Sequence, residues 1–105
     1  QLVEKLKLAI VAGEYPAGER LPSVRDLAIE IKANPNTVQR ALVDLEQTGL
    51  IYTQRTNGKF VTEDKELVQK IREELAKETF SKFQENMRQL GFEEDEIRQY
   101  VMKQE

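Results

Sequence analysis

Apolar residues recur every three or four positions near the start of the chain and predict two helices in succession. The first helix should stop near Gly13, and its apolar positions are Leu2, Leu6, Ala9 and Ile10. A turn over residues 15–18 should separate it from the second helix. Ser23 is the expected N-cap of that helix, because Asp26 follows three residues later as in a capping box. The stripe expected to be buried in the second helix consists of Val24, Leu27, Ala28 and Ile31.

A third helix should begin directly after a short connection at residues 32–33. Asn34 is a favourable N-cap, and Pro35 suits the first helical position, where its missing N–H breaks no hydrogen bond. The helix should end near Gly49, and its expected buried stripe is Val38, Ala41, Leu42 and Leu45. Two short helices that are joined by a tight turn, each with one buried face, indicate a helix-turn-helix.

Two short segments of high β-propensity follow the third helix, at residues 50–53 and 60–62. Asn57 and Gly58 lie between them, and both residue types tolerate positive φ, so the pair predicts a tight hairpin turn. The tip of this hairpin carries Arg55 and Lys59 on either side of the turn. In a winged helix such a tip reaches into the minor groove or along the DNA backbone. An ordinary exposed hairpin with chance charges is the alternative.

From about Glu63 the apolar positions return to helical spacing and predict a long helix that is broken at Gly91. A short last helix carries Ile97, Tyr100 and Val101 on one face. The expected fold class is therefore mainly α with a small β-hairpin (α+β). We expect a winged helix-turn-helix domain over residues 1–63, followed by a helical C-terminal dimerisation region of two helices over residues 64–105.

The long helix has too many large apolar residues on one side to remain uncovered in a small monomer. A partner subunit is the simplest cover, which makes this side the expected dimer interface. The alternative is packing on the chain's own domain, and both can occur together. The four residues in question are Phe80, Phe83, Met87 and Leu90.

Composition excludes several kinds of chemistry. The chain has 105 residues, enough for one domain and an appended element, and it contains no histidine and no cysteine. Zinc sites, disulfides and histidine-based acid–base catalysis are therefore absent. The acidic residues around Glu93 lie in a polar run that fits a solvated helix start, and no glycine-rich phosphate motif occurs. We expect neither an enzyme nor a cofactor or metal site.

The sequence also indicates where the protein works. It contains no apolar run of the ~18 residues that are needed to cross a bilayer. Its first residues do not form a signal peptide, because Glu4, Lys5 and Lys7 interrupt the apolar positions. We therefore expect a cytoplasmic protein without a membrane partner. The chain begins at Gln1 rather than at methionine, and we expect a few residues to precede it.

The formal net charge of −3 is unusual for a DNA-binding protein. Phosphates respond to local charge, however, because ions screen charges beyond about 8 Å. Residues 20–61 hold six basic and four acidic side chains, a local excess of two positive charges. The acidic excess lies mainly in the C-terminal third. This distribution permits DNA binding without demonstrating it.

The outer face of the third helix carries groups that can read base edges. Asn and Gln pair with adenine through two hydrogen bonds, and Arg pairs with guanine in the same way. The face consists of Asn36, Gln39, Arg40, Val43 and Gln47. A solvated polar face is the ordinary interpretation of an isolated helix of this kind, but the surrounding helix-turn-helix favours base readout. The backbone amides at the helix start, near Asn34, also favour anions.

Two further side chains suit contacts with DNA. Thr37 flanks the polar face of the third helix and can donate to a phosphate. Arg25 lies near the start of the second helix, where a phosphate or base-edge contact competes with a surface salt bridge of low energetic value.

Several motifs together resemble the GntR family of bacterial regulators. The stretch AGERLPSVRDLA at residues 17–28 looks like the family's signature before and through its second helix. The stretch NTVQRAL at residues 36–42, with Leu45-Glu46 and Gly49-Leu50-Ile51, looks like its recognition helix and exit. Phe60-Val61 matches the end of its wing. The segment at residues 34–38 and the short tail with Leu90-Gly91-Phe92 are similar to the YtrA subfamily.

The resemblance implies repression, often near genes for ATP-driven transporters or envelope-stress responses, and dimerisation through the C-terminal helices. It implies base and phosphate contacts at Arg25, Asn34, Asn36, Thr37, Gln39, Arg55 and Thr56. Three positions depart from the family. Pro35 and Gln39 stand where many members have arginine, and Thr56 replaces the usual wing glycine. These departures concern the operator sequence rather than the mode of binding.

Together the patterns predict a homodimeric, DNA-binding transcription regulator, a repressor, that recognises a pseudo-palindromic operator in double-stranded DNA. The expected base readers are Asn36, Gln39 and Arg40. The expected backbone contacts are Arg25, Thr37, Arg55 and Lys59. The alternative is a winged-helix module that docks a protein and has no sequence-specific DNA binding. A small-molecule effector between the two regions stays open, since no residue marks a pocket for it.

Overall fold

The computed structural model describes residues 2–104, and this part of the chain contains five helices and one hairpin. In chain order the elements are α1 (Leu2–Val11), α2 (Val24–Glu30), α3 (Pro35–Thr48), β1 (Ile51–Gln54), β2 (Gly58–Val61), α4 (Lys65–Gln89) and α5 (Glu94–Lys103). Three helices followed by a hairpin form a winged helix-turn-helix, and two helices follow it. The predicted α+β fold class is confirmed.

The chain divides into two compact units, Gln1–Ile71 and Arg72–Glu105. The sequence predicts a boundary between residues 63 and 64, before the long helix begins. The first turns of α4 belong instead to the first unit, where Leu67 lies beside Gly49 and Ile71 is buried. The functional assignment of the two regions stays a prediction.

The core of the first unit forms where the apolar stripes of α1 and α2 meet α3, with β1 packed beside α3. The predicted stripe of α3 is buried along its whole length. In α2, Leu27 and Ala28 are buried, whereas Val24 and Ile31 at the ends of the stripe are half-buried. Burial of each large aliphatic side chain stabilises the fold by roughly 1.5–3 kcal/mol. The outer face of α3 is thereby held outward by the burial of its opposite face.

Both ends of α3 are fixed by the residues that the sequence indicated. Asn34 is the N-cap, since its Oδ1 accepts a hydrogen bond from the Asn36 backbone N–H at 2.8 Å. Pro35 occupies the first turn, and Gly49 ends the helix at φ +87°. The positive φ favours glycine there, and a Cβ would also approach Leu67 Cδ2 to 3.0 Å, a contact that the leucine side chain would have to relieve by a small shift.

The turn between α2 and α3 holds a lysine where the chain elsewhere uses glycine. α1 and α4 end in Schellman motifs centred on Gly13 and Gly91, both at positive φ. α2 ends in the same way: the Ala33 N–H donates to the Ala28 carbonyl at 2.9 Å, and the Lys32 N–H donates to the Ile29 carbonyl at 3.3 Å. Lys32 has φ +55°, the one positive φ among the described residues other than glycine.

We expect Lys32→Gly to raise the free energy of unfolding by about 0.5–1 kcal/mol, because a side chain in the left-handed region costs roughly 1–2 kcal/mol and glycine loses more chain entropy on folding. Urea denaturation measures the change. Lys32→Ala is the matched control, since it removes the ammonium but keeps the Cβ, and it should leave stability within about 0.5 kcal/mol. Equal gains from both variants would identify charge, and not backbone conformation, as the cause.

The hairpin differs from the predicted two-residue turn. β1 and β2 pair antiparallel with Gln54 opposite Gly58, so three residues, 55–57, form the loop. Gly58 has φ +97° and opens β2, whereas Asn57 does not have positive φ. The left-handed conformation falls on Gly58, directly after the loop, where the absence of a Cβ removes its steric cost. The expectation that Asn57 and Gly58 together make the turn is wrong.

The segment before α2 lies along the outer edge of β2. The Leu21 N–H donates to the Lys59 carbonyl at 2.8 Å, and the Val61 N–H donates to the Glu19 carbonyl at 2.9 Å. Arg20 forms an isolated antiparallel bridge with Phe60 between these bonds. The hairpin is thus held on one side by α3 and on the other by the approach to α2.

In the second unit, the part of α4 beyond Ile71 is followed by α5. Gly91 at φ +97° ends α4, as the sequence predicted. Met87 and Ile97 are the buried apolar residues of this unit, and the rings of Phe92 and Tyr100 meet edge-on with centroids 6.1 Å apart. Among residues 2–104, no helix combines the length and apolar character that a bilayer span requires.

Candidate nucleic-acid interface

The outer face of α3 presents polar side chains that no other part of the described chain engages. Asn36, Gln39 and Arg40 are exposed, and their side chains make no hydrogen bond or ion pair within residues 2–104. The helical repeat of 3.6 residues places them on one side, with Val43 one turn further on. Val43 is 44 % exposed, an apolar surface beside amide and guanidinium donors. Such a face can form hydrogen bonds to base edges and an apolar contact with a thymine methyl group.

Side chains beside this face suit the DNA backbone. Arg25 on α2 and Thr37 on α3 are both exposed and have no side-chain partner in the described part of the chain. Asn34 is more restricted, because its Oδ1 caps α3 and only its side-chain NH₂ group remains available to a ligand. All three lie at or near the start of a helix, where backbone amides favour anions.

The hairpin loop carries two of the predicted contacts. Arg55 and Thr56 are exposed, and neither side chain has a partner within residues 2–104. Lys59 behaves differently from the expectation. It lies in β2 and is half-buried, and its ammonium is 3.1 Å from Glu46 Oε1 and 2.9 Å from Thr53 Oγ1.

The sequence predicts Lys59 at the exposed tip, free for the DNA backbone. The structure corrects this position: the ammonium is held by α3 and β1, because Lys59 pairs with Thr53 across the hairpin and both face Glu46. Sequence reasoning missed Glu46 in this role. No periodicity could indicate it, since Glu46 and Lys59 are thirteen residues apart and meet only through the tertiary fold.

Glu46 joins α3 to both strands of the hairpin. The Thr53 hydroxyl donates to Glu46 Oε2 at 2.8 Å, while the Lys59 ammonium lies at the other carboxylate oxygen. The hydrogen bond from Thr53, and then that from Lys59, hold the pKa of Glu46 below the usual value of a glutamate. Because the pKa is lower in the folded state, ionised Glu46 stabilises the fold above the ordinary carboxyl range.

This contribution should disappear as the pH falls through the lowered folded pKa of Glu46. We expect Glu46→Gln to lower the free energy of unfolding at pH 7 by about 0.5–1 kcal/mol, the scale of a partly exposed ion pair. Its stability should also decline less steeply than that of the wild type from about pH 5 downward. Asp44→Asn is the control, because Asp44 is exposed on the same helix without a partner in residues 2–104. Superimposable pH profiles for Glu46→Gln and wild type would contradict this account.

The four residues predicted to contact a partner subunit fall into three environments. Phe80 is 55 % exposed and Leu90 is 73 % exposed. Phe83 is half-buried, with its ring 6.3 Å from that of Phe80. Met87 is only 8 % exposed, because its own chain already covers it. The structure therefore corrects the placement of Met87 to the interior of the second unit, while Phe80 and Leu90 keep surface that a partner could cover.

The exposed apolar surface of the second unit extends onto α5. Tyr100, Val101 and Met102 are all exposed there. The described residues contain no group of three or more acidic side chains that could hold a metal ion.

Comparison with known proteins agrees with this arrangement. The profile described as "Bacterial regulatory proteins, gntR family" matches residues 1–61. The HTH-type transcriptional regulator YhcF of Bacillus subtilis is 35 % identical over 97 residues, which cover 92 % of this chain and 80 % of YhcF. The HTH-type transcriptional repressor YtrA of the same organism is 42 % identical over 64 residues, 61 % of this chain and 49 % of YtrA.

A solved structure extends the similarity to nearly the whole chain. A GntR family transcriptional regulator from Listeria monocytogenes superposes with a TM-score of 0.87 and 41 % identity, covering 98 % of this chain and 90 % of that protein. The family match spans the three helices and the hairpin that carry the exposed polar face. The chain therefore belongs to the GntR family of bacterial regulatory proteins, DNA-binding transcription regulators that are not enzymes.

Proposed function

We propose that this protein is a homodimeric repressor that binds a pseudo-palindromic operator by inserting α3 into the major groove. The observation that carries the proposal is the face of α3, on which Asn36, Gln39 and Arg40 are exposed and free of partners within residues 2–104. A buried opposite stripe and fixed ends hold this face outward. Repression is supported by the names of similar proteins, the repressors YtrA and NagR of Bacillus subtilis.

The proposed binding mode divides the exposed groups by their chemistry. Asn36, Gln39 and Arg40 read base edges, where each bidentate pair discriminates by about 1–3 kcal/mol. The backbone contacts come from Arg25, Thr37, the NH₂ group of Asn34, and the loop residues Arg55 and Thr56. Since phosphate contacts fix register without reading sequence, the specificity of the complex rests on α3.

Two copies of α3 are needed for a palindromic site, and the second unit offers the surface that joins them. Phe80 and Leu90 expose apolar surface that a monomer of this size would rarely leave in contact with water. A two-fold dimer would present its recognition helices to half-sites about 34 Å apart, one turn of the double helix. Binding to chromosomal DNA would place the protein in the cytoplasm.

The proposal is tested by titrating the purified protein against DNA from the region upstream of its own gene, with a shuffled duplex as competitor, at two salt concentrations. We expect a preference for one upstream fragment of at least ~10³-fold over the shuffled duplex. Replacing Asn36, Gln39 and Arg40 together with alanine should abolish the preference and leave the weak binding to shuffled DNA, because backbone contacts remain.

The same experiment distinguishes sequence-specific repression from the alternative function, in which the winged helix docks a protein. A folded dimer that binds every duplex equally weakly at low salt would contradict sequence-specific repression and favour the interaction module. The melting temperature of the triple variant is the control for folding. It should match that of the wild type, because all three side chains are exposed.

A further inference from the structure

A groove of about 280 Å³ lies between the approach to α2 and the hairpin, within the first unit. Pro22 and Val24, both half-buried, contribute apolar surface to it, and Ser23 lines it at the N-cap of α2. Its ionisable lining residues are all basic: Arg20, Arg55 and Lys59. A groove whose charged lining is only positive is suited to an anionic occupant.

Two of the three cations in the groove are free. The Lys59 ammonium is neutralised by Glu46 at 3.1 Å, outside the lining itself. Arg20 and Arg55 are both exposed and make no ion pair or side-chain hydrogen bond within residues 2–104. Two unpaired guanidinium groups therefore supply the net charge of this groove.

The backbone places Arg20 against the hairpin and not on an unrelated surface. Its main chain bridges Phe60 of β2. Its guanidinium lies over Gly58, because a Cβ at that glycine would come within 3.1 Å of Arg20 Nε. Arg20 thus lines the same groove as Arg55, although the two residues are 35 positions apart in the chain. No local sequence pattern groups these two residues.

We propose that this groove binds the phosphodiester backbone of the operator, with Arg20 and Arg55 holding one phosphate between them. The inference rests on the proposed DNA-binding function and adds Arg20, which the predicted interface does not contain. Guanidinium forks bind phosphate through paired, charge-assisted hydrogen bonds. The Ser23 hydroxyl accepts a bond from the Asp26 N–H at 3.1 Å, and its own hydrogen remains available to a phosphate oxygen. Pro22 and Val24, which are half-buried, offer apolar surface to the deoxyribose.

The test combines variants with neutral methylphosphonate substitutions, placed one at a time along an operator fragment that the wild type prefers. In the wild type, the substitution at one position in each half-site should weaken binding roughly tenfold or more, the scale of a single charge-assisted contact. The penalty at that position should shrink in Arg20→Ala and in Arg55→Ala, and it should vanish in the double variant. The double variant should also lower the slope of log K against log salt by about 0.9 for each protomer.

Arg20→Ala alone should weaken binding to operator and shuffled DNA by the same factor, roughly three- to tenfold at low salt, because a phosphate contact reads no sequence. Arg20→Lys should retain most of the affinity, since it preserves the charge. Lys5→Ala is the charge-matched control: Lys5 is exposed on α1, outside the groove, and its removal should leave the methylphosphonate pattern unchanged.

The failure of this inference is distinguishable from the failure of the proposed function. If the wild type selects an operator but Arg20→Ala retains both its affinity and the full methylphosphonate penalties, Arg20 does not hold a phosphate and this inference is overturned alone. If the wild type selects no duplex, the proposed function fails and this inference with it. If the groove binds only a small anion, Arg20→Ala should retain its DNA affinity and the full methylphosphonate penalties in phosphate-free buffer, and this inference is overturned. Arg20→Gln, which keeps the aliphatic stem, repeats the measurement if Arg20→Ala proves unstable.

Discussion

Phe80→Asp is expected to convert the proposed dimer to a monomer and to weaken operator binding by about 10²-fold or more, the scale on which one linked binding site reinforces another. Phe80 is more than half exposed on α4, so a partner subunit is the simplest cover for its ring. A carboxylate at this position would have to be buried in the dimer without a counter-charge. Sedimentation analysis reports the mass, and a gel-shift titration reports the affinity.

Leu90→Asp provides a second test of the interface. Leu90 is 73 % exposed, so the substitution should not destabilise the second unit by itself. Ser81→Asp is the control, because it adds the same charge about 100° further around the helix from Phe80. If Phe80→Asp and Leu90→Asp both remain dimers with unchanged operator affinity and melting temperature, the C-terminal helices do not join the subunits.

Gln39→Ala is expected to weaken operator binding by about 1–3 kcal/mol and to leave binding to shuffled DNA unchanged. The reason is that Gln39 offers both a donor and an acceptor from an exposed position on α3, without a partner in residues 2–104. Loss of a bidentate contact should relax selectivity at one base pair in each half-site. Titrations against operators that are mutated at single positions measure this relaxation.

The control for Gln39→Ala is Gln47→Ala, which removes the same side chain from an exposed position two turns later on the same helix. We expect it to change operator affinity much less, since Gln47 lies near the C-terminal end of α3. Equal losses on operator and shuffled DNA for Gln39→Ala would assign Gln39 to the phosphate backbone and not to base readout.

Sequence patterns were sufficient for every element whose cause is local. The buried stripe of α3 follows from a helical period that leaves one face apolar, and the structure buries all four of its members. Ser23, Asn34 and Gly49 mark helix ends because capping depends on residues within one turn. The exposed face of α3 was predictable for the same reason, since it is the complement of the buried stripe.

Local patterns failed where an alternative conformation was equally compatible with the residues. Asn57 and Gly58 fit a two-residue turn, yet the pairing of Gln54 with Gly58 leaves a loop of three residues. Lys32 takes a left-handed conformation that its residue type disfavours, because α2 and α3 must both bury their stripes and the turn between them is short. Register and turn geometry were thus decided by the packing on either side.

The sequence by itself determined the helices, the caps of α2 and α3, the presence of a hairpin and the polar outer face of α3, because each depends on neighbours within a few residues. Tertiary structure alone decided which charges are free: Lys59 is bound by Glu46, while Arg20 and Arg55 line one groove unpaired. It also decided that Met87 is interior and that Phe80 is not. Burial and ion pairing depend on which distant segments meet, and short-range periodicity does not contain that information.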